Sequence, residues 1–233
     1  MTLLFTKLLL AHLIGDFLLQ PMKWVIHKEA NKAGSKYLYF HIVIHFTLTM
    51  LLVWDVNFWK QALLIMVLHY FIDIAKLYIA PLFKNKSLPF FIDQILHLLV
   101  LYCIAFYGNV IENSIDLINQ IDWFLITAIV FVSFPTAIIM GKLLESMSHQ
   151  IALDHKSLPN AGKYIGIIER LFVLAFIISG KWEGIGLLIA AKSVFRFNDL
   201  KESNSRKLTE YILIGTLLSF GIAMLTGIVY TNL

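Results

Sequence analysis

Long apolar runs separated by short polar stretches set the pattern of this chain. They fall at about 2–20, 37–54, 61–81, 90–108, 122–140, 164–180, 184–197 and 209–230. A helix needs about 20 mostly apolar residues, with about 17 as a lower limit, to cross a bilayer. The pattern therefore predicts an all-α, polytopic transmembrane helix bundle of about eight spans. The seventh run is short and joined to the sixth through Gly180 and Gly184, so these two are expected as a hairpin, and seven spans is the competing count. Pro135 is expected to kink the fifth span, because proline removes a backbone donor and crowds the preceding turn.

Composition supports the membrane reading. The chain is 59% hydrophobic and 15% charged over 233 residues, with a mean hydropathy of +0.77. An ordinary soluble domain is about 45–50% apolar and about 25% charged. The first run lacks a basic leader and a small-residue cleavage site, so it is expected as a retained helix rather than a signal peptide. Cys103 is the only cysteine, which excludes an intramolecular disulfide and a Cys-based metal site. It is expected as a small buried hydrophobe.

Charge gives the orientation. Lys23, Lys28, Lys32 and Lys36 fall in the first loop, Lys84 and Lys86 in the third, Lys142, Lys156 and Lys163 in the fifth, and Lys201, Arg206 and Lys207 in the seventh. The fourth carries Glu112, Asp116 and Asp122 without a basic residue. Basic loops face the cytoplasm, so both the N-terminus and the C-terminus are expected outside. The net charge of +4 is spread over short loops and forms no nucleic-acid footprint.

The first four spans carry the candidate chemistry. Four pairs occur at i,i+4 spacing: His12/Asp16, His41/His45, His69/Asp73 and Asp93/His97. Residues four apart share one helix face. With the expected orientation all eight lie roughly 5–18 Å below the inner boundary, at 1.5 Å per residue. Ionisable groups at that depth cost about 2.5–3.5 kcal/mol each on insertion scales. Imidazole and carboxylate together offset this by binding a divalent transition metal, with zinc expected and iron or manganese also suited. Eight candidates exceed the four ligands of one tetrahedral ion. Either two ions bind, or some carboxylates orient the imidazoles from behind. The alternative is a hydrogen-bonded network that holds the helices together.

The second half differs in kind. Glu169 and Arg170 open the sixth span, Lys192 and Arg196 lie four apart in AAKSVFRF, and Glu210 opens the eighth. Lys192 and Arg196 read either as a clamp for an anionic substrate group or, with Glu169, Arg170 and Glu210, as an ion-pair network with snorkelling stems. Lys76 reads as an interfacial lysine that can also reach a carboxylate. SHQIALDHK, with His149, Asp154 and His155, reads as a solvated loop. Gly-rich phosphate loops, nucleophile elbows and HExxH are absent from the sequence.

AHLIGDFLLQ, HIVIH, HYFIDIAK and FIDQILH resemble the N-terminal signature of an uncharacterised bacterial inner-membrane family, domain of unknown function 3307. GIGLLIAAKSVFRFND and EYILIGTLLSFGIAMLTG are similar to the C-terminal region of its longer members. The resemblance implies a bacterial inner-membrane location and brings no activity. His12, Asp16, His69, Asp73, Asp93 and His97 fall on its motifs.

Two halves are expected, residues 1–110 with the His/Asp cluster and 111–233 with the basic cluster, integrated in one membrane domain. Three functions fit. The first is a metal-dependent hydrolase of lipid or lipid-linked substrates, with Asp16 or Asp73 as general base. The second is a divalent-metal or proton-coupled transporter. The third is a membrane binding or signalling protein with a structural metal. The bilayer is the expected partner; the pattern sets no oligomeric state.

Overall fold

The computed structural model describes residues 2–85, 87–107, 121–148, 160–203 and 206–233. Among them there is helix and turn but no strand. Helix α1 (Leu3–Leu13) starts where the Thr2 hydroxyl accepts from Phe5 N–H, and runs into a π-helical turn, Ile14–Leu18. After a bend of 84° the chain continues as α2 (Met22–Asn31). Then follow α3 (Lys36–Val53), α4 (Trp59–Ile79) and α5 (Ser87–Tyr107). Later come α6 (Trp123–Val132), α7 (Phe134–Leu143), α8 (Glu145–Ser148), α9 (Ala161–Ile178), α10 (Trp182–Ser203) and α11 (Arg206–Thr231).

Five helical stretches are long and apolar enough to cross a membrane: Lys36–Val53, Val56–Leu82, Ser87–Phe106, Trp123–Leu143 and Lys207–Thr231. A sixth is added if Leu3–Leu18 and Met22–Gly34 count as one broken span. That is fewer than the expected eight, for identifiable reasons. Leu3–Leu18 rises only about 24 Å at 1.5 Å per residue, short of the about 30 Å hydrocarbon core. Helix α9 carries Lys163, Glu169 and Arg170 within its 18 residues. Only 22–33% of each qualifying stretch is covered by protein. Phe71, Leu99 and Leu217 are among the large apolar side chains left on outward faces, as expected where lipid, not water, is the surrounding solvent. Cys103 is exposed on α5, not buried as its apolar neighbours suggested.

The chain divides into two units, Met1–Thr127 and Ala128–Leu233. The expected junction at 110/111 lies outside the described residues. In the first unit α1, α3, α4 and α5 form a ring, α1 and α4 each packing on both α3 and α5. One end of this ring is closed by Leu4, Leu8, Val53, Phe58, Ala62, Ile65, Leu101 and Ile104. Lys7 is buried on the same stretch of α1, its ammonium 5.5 Å from the Trp123 ring centroid, a polar position the span pattern passed over.

In the second unit α9 packs on α7, α10 and α11, around Val132, Val173, Leu174, Ile177, Phe220 and Ala223. The break expected from Pro135 falls at Ser133, between α6 and α7. Pro135 cannot donate to Phe131 O, four residues back, and the Thr136 hydroxyl donates to that carbonyl instead, at 2.6 Å. Arg170 adds further donors at the break, Nε to Val132 O and Nη2 to Ser133 O at 2.9 Å, the latter carbonyl also accepting from Ala137 N–H.

Candidate metal centre

The ring of α1, α3, α4 and α5 turns all eight predicted His and Asp side chains inward. His12, His41, His45, His69, Asp73, Asp93 and His97 are each at most 5% exposed. Asp16 keeps 10% of its side chain exposed. Asp16 is the hub. His45 Nε2 lies 2.9 Å from its Oδ1, His41 Nε2 3.2 Å and His69 Nε2 3.6 Å, and His12 Nε2 lies 3.7 Å from Oδ2. The π-helical turn places it there. The Leu19 N–H bonds the Ile14 carbonyl, five residues back, at 2.9 Å, and such widened turns recur at functional sites.

Ligand atoms of His12, Asp16, His45 and His69 lie within 4.8 Å of one another and can hold a metal ion. A tetrahedral ion with bonds of about 2.0–2.1 Å needs ligand atoms about 3.4 Å apart. The Asp16 contacts bracket that edge. Two further groups overlap with this one, His41/His69/Asp73 and Asp16/Asp93/His97. His41 Nε2 lies 3.2 Å from His69 Nε2, linking the first group to the second.

The surroundings distinguish the three carboxylates. Asp73 Oδ2 accepts from Lys28 Nζ at 2.9 Å, and Asp93 Oδ2 accepts from Lys76 Nζ at 2.7 Å. Among the described residues no lysine pairs with Asp16, whose Oδ2 accepts from Gln94 Nε2 at 2.9 Å. Gln94 Oε1 lies 3.2 Å from His12 Nε2, and Gln94 Nε2 also donates to Asp93 at 3.2 Å. One amide thus fixes both a carboxylate and an imidazole of the first group, the kind of outer partner that orients metal ligands.

Sequence reasoning missed Gln94 and Lys28. Gln94 had a signal, since an amide within an apolar span needs a partner. Lys28 had none. It lies on α2, beyond the bend, and looked like one of four loop lysines. Lys76, expected at the interface or on a carboxylate, pairs with Asp93.

A small cavity adjoins the imidazoles, lined by Leu8, His12, His45, Thr49, Ile65, His69, His97, Val100 and Leu101. Its free space holds about one water-sized sphere. His97 lends it a free acceptor. Its Nδ1–H donates to the Asp93 carbonyl at 2.9 Å, and its buried Nε2 has no hydrogen-bond partner among the described residues.

The family model described as "Protein of unknown function (DUF3307)" matches residues 4–126, more than half of the chain. The chain belongs to this family. No curated protein and no solved structure matches it. The DUF3307 match ends within one residue of the first unit's boundary at Thr127, so every member of the His/Asp cluster lies inside it. The similarity noted at the C-terminus lies beyond the matched stretch.

Of the second-half candidates, Lys192 Nζ donates to Glu169 Oε2 at 2.6 Å. Arg170 Nη1 donates to Ser219 Oγ at 3.1 Å, in addition to its two carbonyl partners. Glu210 opens the second turn of α11. The Arg196 side chain and residues His149, Asp154 and His155 lie outside the described residues.

Proposed function

We propose that the DUF3307 unit is an intramembrane metal centre, and that the protein is a metal-dependent hydrolase of lipid or lipid-linked substrates in the bacterial inner membrane. One observation carries this reading. Three imidazoles and Asp16, the cluster's one carboxylate with no lysine paired to it among the described residues, converge beside a water-sized cavity that a fourth imidazole also lines.

Three His and one Asp are donors that zinc takes, and zinc can expand to five-coordinate to admit a water. A bound ion would supply Lewis acidity, lowering the pKa of that water to about 7. His12, His45, His69 and Asp16 would hold it. Gln94 keeps Asp16 and His12 in register. The free Nε2 of His97 is the base available to take a proton from a water in the cavity, because its other nitrogen is committed to the backbone. Asp16 and Asp73, the bases the sequence suggested, are already engaged by imidazoles and by Lys28. The cavity, walled by Leu8, Ile65, Val100 and Leu101, has room for a water and not for a substrate, so the lipid assignment is supported by the site's place among membrane-length apolar helices.

The test is elemental analysis of purified protein in detergent, followed by turnover of ester, amide and phosphoester lipids. One zinc per chain is expected, lost in His45→Ala and His69→Ala. His97→Ala is expected to retain the metal and lose hydrolysis. Protein without stoichiometric metal sinks the reading. Turnover that survives in His97→Ala sinks the assigned base.

A further inference from the structure

The cluster holds three carboxylates, Asp16, Asp73 and Asp93, and two buried or half-buried ammoniums, Lys28 and Lys76. Each lysine takes one oxygen of one aspartate. If the imidazoles are neutral, a single negative charge is left at Asp16, the site assigned above to one divalent ion.

The lysine at Asp73 is the unusual one. Lys28 and Asp73 are each only 7% exposed and are separated by 45 positions in sequence. Lys28 reaches this point from α2, a helix outside the ring. At Asp73 the ammonium joins a set of metal-ligating atoms. His41 Nε2 is 3.7 Å from the same oxygen, Oδ2, and 3.2 Å from Asp16 Oδ1. His69 Nε2 is 4.0 Å from the other oxygen, Oδ1. Buried His41 Nδ1 has no hydrogen-bond partner among the described residues. Imidazole and carboxylates, with a second imidazole in reach, are a set a second divalent ion uses. An aspartate lying between two such sets is placed to bridge two ions, as in two-metal centres with ions about 3.5–4 Å apart.

We infer that the Lys28 ammonium occupies the second cation position of a potential two-metal centre, and so sets the number of ions bound at one. His41 and Asp73, with Asp16 bridging, are the ligands of that latent position. Lys76, at Asp93, is the more solvated of the two lysines, its side chain 33% exposed against 7% for Lys28. The inference rests on the proposed metal centre.

The test counts ions in purified protein titrated with zinc chloride alone. Wild type is expected to hold one equivalent tightly. Lys28→Met keeps the stem and removes the charge, and is expected to hold two. Lys28→Met combined with Asp73→Asn is expected to return to one, and Lys28→Arg to stay at one. If Lys28→Met is not monodisperse and helical by circular dichroism, Lys28→Gln carries the same expectation. A folded, charge-neutral Lys28 variant that still binds one equivalent overturns the inference. So does wild type that binds a second equivalent as tightly as the variant. Wild type that binds none sinks the metal centre itself, a different outcome.

Discussion

Gly15 brings the π-helical turn after α1 so close to α3 that a β-carbon on it would lie 2.5 Å from Nε2 of His45. The same ring nitrogen lies 2.9 Å from Asp16 Oδ1, on the next residue of that turn. The glycine is thus a condition for the contact between two proposed ligands. Alanine there must push the His45 imidazole aside. Gly15→Ala is expected to lower zinc affinity by at least about 10–100-fold, the range for disturbed ligand support. Alanine favours helix over glycine by about 1 kcal/mol, so the helix itself should not suffer. Competition against a chelator measures the affinity, and circular dichroism the helix. Unchanged affinity would remove His45 from the ligand set.

Gln94 offers a test that leaves every proposed ligand in place. Its amide donates to Asp16 Oδ2 and its carbonyl faces His12 Nε2. Gln94→Leu preserves bulk and removes both partners. The expected result is zinc affinity reduced about 10–100-fold with stoichiometry unchanged. Calorimetric titration in detergent reads both quantities. A wild-type affinity would show that Gln94 serves helix packing alone.

The membrane class and the four-pair cluster were legible in the sequence because both rest on spacing within one helix. Apolar runs give spans, and i,i+4 pairs give a common face. Their convergence was inferred from depth, and the ring of α1, α3, α4 and α5 supplies it. What the pattern did not carry depends on contacts between distant segments. Lys28 meets Asp73 only because α2 folds back after the 84° bend. The π-helical turn at Asp16 has no simple composition signal, since it widens the turn without a glycine–proline break. The span count fell short of eight because run length was counted without weighing charges such as those of α9. The lysines' choice of carboxylate mattered most. It separates Asp16 from Asp73 and Asp93, which spacing alone treats as equivalent.

Arg170 in the second unit makes a prediction about stability. The residue is 2% exposed and its guanidinium bonds Val132 O, Ser133 O and Ser219 Oγ. These carbonyls lie at the break beside Pro135. Arg170→Met fills similar space and takes that donor from Val132 O, while Ser133 O keeps Ala137 N–H. A buried polar group deprived of its partner costs about 1–3 kcal/mol, and a loss in that range is expected. Thermal unfolding in detergent should shift down by several degrees, while zinc content stays at the wild-type level. A melting curve that does not move would show that the broken span finds other donors.

Lys192 and Glu169 decide between the two readings of the basic residues in the second half. Their contact at 2.6 Å joins side chains 23% and 12% exposed. An ion pair that is structural should couple the two residues in a double-mutant cycle. Lys192→Met alone strands the carboxylate, Glu169→Gln alone strands the ammonium, and the double variant strands neither. The double variant is therefore expected to be more stable than the sum of the singles predicts. The coupling should fall between the about 1 kcal/mol of an exposed pair and the about 3–5 kcal/mol lost on breaking a buried one. A clamp for an anionic group behaves otherwise. There Lys192→Met weakens binding of an anionic lipid in vesicles whether or not Glu169 is intact, and the stability effects simply add. Additive stabilities with lipid binding lost would assign Lys192 to a ligand rather than to Glu169.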